Sequence, residues 1–285
     1  MKQRLISGIV VAAVAVTAII IGGYVLDILI ILFGGIGVFE FYNAFSKRGY
    51  TPVKSFGFVY IALLVLMMYF DGDSYLSIVV HIKGRGPVNL FPPVFLLAVL
   101  VLLSLLVFFH EKYNAADAAI TVFGGFYVVF LISYFGKLRE LNGGVYLFFL
   151  ALVGAVATDT FAYFIGKAIG KKKLIEAISP HKTVAGSVAG LTGNIAVLTI
   201  YGLVLWYTGA YRGLSLYHYP IIGVITGIVS QVGDLAASAI KRYAGIKDFG
   251  KIIPGHGGIL DRIDSYLFAI PVVYYYLIFC GIGGV

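Results

Sequence analysis

Apolar residues in this chain form long continuous runs, separated by short polar segments that carry most of the charge. A bilayer core is about 30 Å thick and takes about 20 helical residues to cross, so runs of that length predict spanning helices. Nine candidate spans follow, at about 5–22, 25–45, 53–70, 90–109, 117–135, 145–167, 185–208, 219–240 and 265–284. Strand-like alternation is absent, which favours helices over a barrel. Pro52, the Pro92–Pro93 pair, Pro180 and Pro254 fall at or outside span ends, where proline costs least. The expected fold is an all-α integral membrane protein, a polytopic bundle of about nine transmembrane helices. No internal repeat is evident, so an inverted-repeat transporter gains no support.

Composition sharpens this picture. Of 285 residues, 60% are hydrophobic and only 12% charged, with a net charge of +8. A basic balance predicts acidic partners, either phosphates or anionic lipids. Nucleic acid is not expected, because the 22 Phe and 21 Tyr fit lipid contact and interface belts rather than a basic aromatic face. The lone Cys280 excludes an intrachain disulfide and a cysteine metal site. The opening MKQR and its apolar run read as a retained first span rather than a cleaved signal. With nine spans, sixteen of the 21 Lys and Arg share the side of the N-terminus and five lie opposite. Positive residues concentrate inside, so the N-terminus and the loops after even spans are expected to be cytoplasmic. The expected location is the cell's inner membrane, multi-pass.

Three regions are expected: 1–110 with spans one to four, 111–144 with the fifth span and an outer loop, and a catalytic transmembrane region at 145–285. Glu40, near the end of the second span, reads as an interface carboxylate close to Lys47. The Asp71–Gly72–Asp73 triplet resembles a calcium fragment but lacks the other ligand positions of a calcium loop.

Polar chemistry gathers in the last region. Asp159, Ala162, Tyr163, Gly166, Lys167 and Gly170 follow helical spacing on the sixth span, placing a carboxylate, a phenol and a lysine on one stripe. A carboxylate within a membrane is expensive and normally faces a cavity or partner; a structural pairing with Lys167 is the alternative. Ser179–Pro180 starts a turn after it. Lys171, Lys172 and Lys173 suit either anionic head groups or substrate, while Lys182, before Thr183, is the better substrate contact. On the eighth span Ser230, Asp234, Ser238, Lys241 and Arg242 project to one side.

The densest stretch is Ser238 to Asp264, SAIKRYAGIKDFGKIIPGHGGILDRID. It adds Lys247, Asp248, Lys251, His256, Gly257, Gly258, Asp261, Arg262 and Asp264 to Lys241 and Arg242. Asp261 and Asp264 could cap the ninth span, although at most one of them can be such a cap. Hard oxygen ligands beside lysines and arginines describe a Mg²⁺ site that works on phosphates. His256–Gly257–Gly258 would let backbone N–H groups approach an anion, with His256 serving as a phosphate donor or as a turn residue. Transport through Asp159 and Asp234, or a scaffolding role, are the rival classes; neither uses the triphosphate-sized basic cluster.

This stretch resembles the signature of phosphatidate cytidylyltransferases, the CDP-diacylglycerol synthases, without departure from Ser238 to Asp264. The sixth-span region resembles the family too, through Asp159, Tyr163, Gly166, Lys167, Gly170, Ser179, Pro180, Lys182, Thr183 and Gly186. It departs at Ala185, where the family often has an acid. The resemblance implies transfer of the cytidylyl group of CTP to phosphatidic acid with Mg²⁺, leaving room for a second cation, by a membrane-embedded homodimer acting at the cytoplasmic face. A related enzyme using an ether-linked or prenyl lipid phosphate is the nearest rival. Under the resemblance, Asp234, Asp261 and Asp264 hold the metal, and Lys241 joins them as a catalytic group. Asp159, Tyr163, Lys182, Ser238, Arg242, Lys247, Asp248, His256, Gly257, Gly258 and Arg262 contact substrate.

Overall fold

Apolar runs hydrogen-bond their own backbone as helices, and the computed structural model is accordingly helical. It describes residues 2–69, 79–82, 86–89, 91–253, 255 and 257–282. The helices are α1 (Lys2–Ile21), α2 (Gly23–Lys47), α3 (Ser55–Tyr69), α4 (Phe91–Phe108), α5 (Ala115–Gly124), α6 (Leu131–Glu140), α7 (Gly144–Ile169), α8 (Val184–Thr208), α9 (His218–Tyr243) and α10 (Leu260–Phe279). A π-helical segment, Gly125–Phe130, joins α5 to α6. Each of the nine expected spans coincides with helix among the described residues. Five helical stretches there are long and apolar enough to cross a membrane: Gly23–Lys47, Ala115–Glu140, Gly144–Ile169, Val184–Thr208 and His218–Tyr243. Three further apolar stretches, Ser7–Ile21, Ser55–Leu66 and Pro93–Phe108, are shorter. The protein is thus an all-α, multi-pass membrane protein.

Two small antiparallel hairpins depart from the purely helical expectation. Strands β1 (Val79–Ile82) and β2 (Gly86–Asn89) pair between α3 and α4. Strands β3 (Lys173–Ile175) and β4 (Ser179–Thr183) pair between α7 and α8. Ser179 and Pro180 therefore open a strand rather than a turn. Proline is tolerated there because a two-stranded ribbon consists only of edges. The Asp71–Gly72–Asp73 triplet lies outside the described residues.

The chain falls into two units. One comprises 1–136 with 244–260, the other 137–243 with 261–285. In the first, α2 packs on the α5–π segment: Tyr42 donates to the carbonyl of Thr121 (2.8 Å), and Phe41 meets Phe123 and Tyr127. Buried Asp117 ties the α2–α3 link to α5, accepting from the Thr51 N–H (2.6 Å) and hydroxyl (2.8 Å). It also completes a capping box with Asn114.

In the second unit, α7, α8 and α9 touch through small residues. A Cβ at Gly186 would lie 2.6 Å from the carbonyl oxygen of Ala162, and one at Gly190 2.7 Å from that of Thr158. Membrane helices gain little from hydrophobicity alone, so close backbone packing and interhelical hydrogen bonds replace it. Buried Asn194 of α8 supplies two such bonds, to the carbonyl of Gly223 and the hydroxyl of Thr226, both at 2.8 Å. Thr183 accepts from the Gly186 N–H (3.1 Å), capping α8 directly after β4.

Candidate active site

The second unit gathers acids and bases from four elements. Helical spacing on α7 does what the sequence implies: Asp159, Ala162, Tyr163, Gly166, Lys167 and Gly170 all line one cavity of about 610 Å³. The β3–β4 hairpin covers its other side with Lys173, His181 and Lys182. The expected alternative pairing of Asp159 with Lys167 is not the arrangement found. Lys167 instead lies over the Tyr163 ring, 5.9 Å from its centroid, while Asp159 stands within electrostatic reach of Lys182 and Asp234.

Lys182 forms an ion pair with Asp234, half-buried on α9. Two turns further along α9, Lys241 turns inward and donates to Asp261 Oδ1 at 2.8 Å. This second pair is nearly dry, with the lysine side chain 11% and the carboxylate 2% exposed. A charge is buried in this way only when it is paired. Arg242, the next residue, is exposed and reaches from Nε to the carbonyl of Ile178 in the hairpin turn (3.4 Å). Ser238 sits half-exposed between these groups on α9.

Helix α10 brings the remaining acids. Gly233 lets α9 approach so closely that a Cβ there would lie 3.0 Å from the Asp264 carbonyl oxygen. Asp264 is buried, its Oδ1 accepts from the Ser265 N–H (2.7 Å), and Asp234, Asp261 and Lys241 all lie within its electrostatic reach. Arg262, between the two acids, is exposed. Tyr266 shares this field, with Asp159, Asp264 and Arg262 acting on it. Tyr266 escaped the sequence reading, although it lies one helical turn after Arg262 and so shares its face.

Neither Asp261 nor Asp264 is the cap of α10. The helix begins at Leu260, so Asp261 already lies inside its first turn. The first N–H groups go elsewhere, to Glu40 of α2, which accepts from Ile259 (3.2 Å) and Leu260 (2.9 Å). Glu40 is 5% exposed, which overturns its reading as an interface carboxylate. Its neighbours in sequence gave no hint of a partner more than two hundred residues away.

Lys247 and Asp248 are exposed and, with Lys47 and Glu40, line a cavity of about 740 Å³ in the first unit. Gly257 and Gly258 follow in the same unit, with the Ile253 N–H donating to the Gly257 carbonyl (3.0 Å). His256 lies outside the described residues.

Among the described residues no three His, Cys, Asp or Glu side chains form a ready-made metal cage. Mg²⁺ does not ask for one, since it is commonly held by one or two carboxylates with waters and substrate phosphates completing its shell. The Asp234, Asp261 and Asp264 oxygens are of the hard type it prefers, so the donor set fits that mode of binding.

A family model described as "Cytidylyltransferase family" matches residues 2–280. Among curated proteins, the chain is 33% identical to the phosphatidate cytidylyltransferase of Bacillus subtilis over 279 residues, 97% of each chain. It is 32% identical to that of Synechocystis over 97% of this chain and 96% of the relative. It is 30% identical to the chloroplastic phosphatidate cytidylyltransferase 4 of Arabidopsis thaliana over 97% of this chain and 73% of the relative.

Proposed function

We infer the reaction from the premise that this chain belongs to the cytidylyltransferase family. It transfers the cytidylyl group of CTP to phosphatidic acid, giving CDP-diacylglycerol and pyrophosphate. The observation that carries this reading is the meeting of Asp234, Asp261 and Asp264 with Lys182 and Lys241 within one helical unit. Acids and cations so interleaved suit phosphoryl chemistry, in which both a metal and the leaving oxygens need counter-charges.

In the proposed mechanism a phosphate oxygen of the lipid attacks the α-phosphorus of CTP in line. The bond from that phosphorus to the bridging oxygen breaks, and its electron pair leaves with pyrophosphate. A phosphate monoester is mostly ionised at neutral pH, so the attacking oxygen needs no general base. Mg²⁺, when bound, would neutralise charge on the triphosphate. Asp234, Asp261 and Asp264 are the residues assigned to hold it, alone or with a second cation. Lys241 keeps Asp261 oriented. Lys182, Arg242 and Arg262 are assigned to the phosphate oxygens, and Asp159, Tyr163 and Ser238 to the substrate walls. From the signature alone, Lys247, Asp248, His256, Gly257 and Gly258 join the nucleotide's contacts. Holding the reactants in line is then the main source of acceleration.

The same reading places the protein in a cell membrane with the reaction on the cytoplasmic side, where nucleotides are kept. Sixteen of its 21 Lys and Arg would share that side under nine spans, supporting this orientation. A homodimer is the proposed assembly. The deciding experiment supplies purified protein with labelled CTP, Mg²⁺ and phosphatidic acid. Label should move into the lipid phase, in step with pyrophosphate release. Water-soluble label throughout, with ether-linked or prenyl phosphate accepted instead, would reassign the lipid. Nucleotide-independent ion transport in proteoliposomes would overturn the enzyme reading.

A further inference from the structure

The longest-range polar contact described above links Glu40 of α2 to the segment that ends at α10. Both carboxylate oxygens are used: Oε1 accepts from the Ile259 N–H at 3.2 Å and Oε2 from the Leu260 N–H at 2.9 Å. Leu260 is the first residue of α10, where backbone N–H groups lack partners within the helix. A carboxylate there satisfies two such donors and also meets the positive end of the helix dipole. Glu40 thus performs, from a distant helix, the task usually left to a residue directly before the helix.

Two glycines mark how tightly the loop wraps this carboxylate. A Cβ at Gly250 or at Gly258 would lie 2.6 Å from Glu40 Cδ, well inside contact distance. Between them the Ile253–Gly257 bridge closes the loop, and Gly255 and Gly257 adopt φ of 79° and 86°, open to glycine at little cost. The loop is therefore built around the glutamate, not merely beside it. The residue that follows Leu260 is Asp261, with Arg262 and Asp264 completing the same helical start.

We infer that Glu40 is a positioning residue, a buried clamp that sets the backbone at Gly250, at Gly258 and at Ile259–Leu260, the starting point of α10. Its two carboxylate oxygens are taken up by the Ile259 and Leu260 N–H groups. It acts through the loop's backbone and through the residues α10 carries. The inference rests on the catalytic reading of that segment, but the clamp itself can be read without any turnover.

The test compares Glu40→Gln with wild type in two measurements. Glutamine keeps the shape and one acceptor oxygen but turns an NH₂ toward a backbone donor. The first measurement is trypsin cleavage after exposed Lys251, relative to cleavage after exposed Lys112 as an internal reference. A loosened loop raises the ratio several-fold, whereas general destabilisation raises both cuts together. The second is steady-state kinetics on monodisperse protein, where kcat should fall about 10- to 100-fold, the scale of a small misplacement of reacting groups. Glu40→Asp, which keeps the charge on a shorter stem, should fall between; it serves as the readout if the glutamine variant does not fold. An unchanged cleavage ratio overturns the clamp. A raised ratio with kcat within two-fold of wild type overturns its role in the reaction. Wild-type protein lacking cytidylyl transfer would sink the catalytic reading, and the cleavage ratio alone would then decide the clamp.

Discussion

Lys241 Nζ lies 2.8 Å from Asp261 Oδ1, joining the last turn of α9 to the first turn of α10 through a nearly dry ion pair. Removing one partner of such a pair strands the other charge away from water. Lys241→Met should therefore lower stability by about 3–5 kcal/mol, read as a drop in the thermal midpoint of detergent-solubilised protein. Adding Asp261→Leu should recover much of that loss while leaving the protein inactive. A double variant as unstable as the single one would show that the pair is not the source.

Asp264→Asn keeps the shape of a buried side chain and removes its charge. Cytidylyl transfer should fall by about 10²–10³, the scale seen when one preorganised electrostatic group is lost from an active site. Folding and membrane insertion should persist. Transfer within a few-fold of wild type would remove Asp264 from the site.

The Lys182–Asp234 pair predicts coupling. Lys182→Ala and Asp234→Asn should each abolish most activity, and their stability effects should not add. An interaction energy of about 0.5–3 kcal/mol from a double-mutant cycle is expected for groups in direct contact. Additive stability effects would mean that the two side chains do not meet.

Chelation gives a prediction independent of mutagenesis. Excess EDTA should stop transfer of labelled CTP into lipid, and added Mg²⁺ should restore it. Undiminished transfer under chelation would end the metal proposal.

Packing in the second unit is tested at Gly190. A methyl group there would press on the Thr158 carbonyl oxygen, a backbone atom that cannot rotate aside. Gly190→Ala should cost about 1–3 kcal/mol through overpacking, visible as a lower thermal midpoint. A midpoint equal to that of wild type would mean that α7 and α8 part easily.

What could be read from sequence was what repeats along one element. The α7 stripe from Asp159 to Gly170 follows from helical spacing alone, and its six residues line one cavity. The α9 face carrying Asp234 and Lys241 is legible for the same reason. Contacts between distant elements were not. Glu40 stands 219 residues before Ile259, and nothing in an apolar run announces which loop will close over its one carboxylate. The β3–β4 hairpin escaped because its strands span only three and five residues, and Ser179–Pro180 at the start of the second reads as a turn. Tyr266 was hidden among the other aromatic residues of α10. Span number is less legible for a related reason: apolar composition signals helix in this chain more surely than a full crossing, and five helical stretches among the described residues are long and apolar enough for one.

The ion pair of Lys182 with Asp234 has one more implication, for the hairpin that carries the lysine. A two-stranded ribbon is marginal on its own, and this contact ties β4 to α9. Neutralising the aspartate would therefore loosen the ribbon as well as discharge the helix.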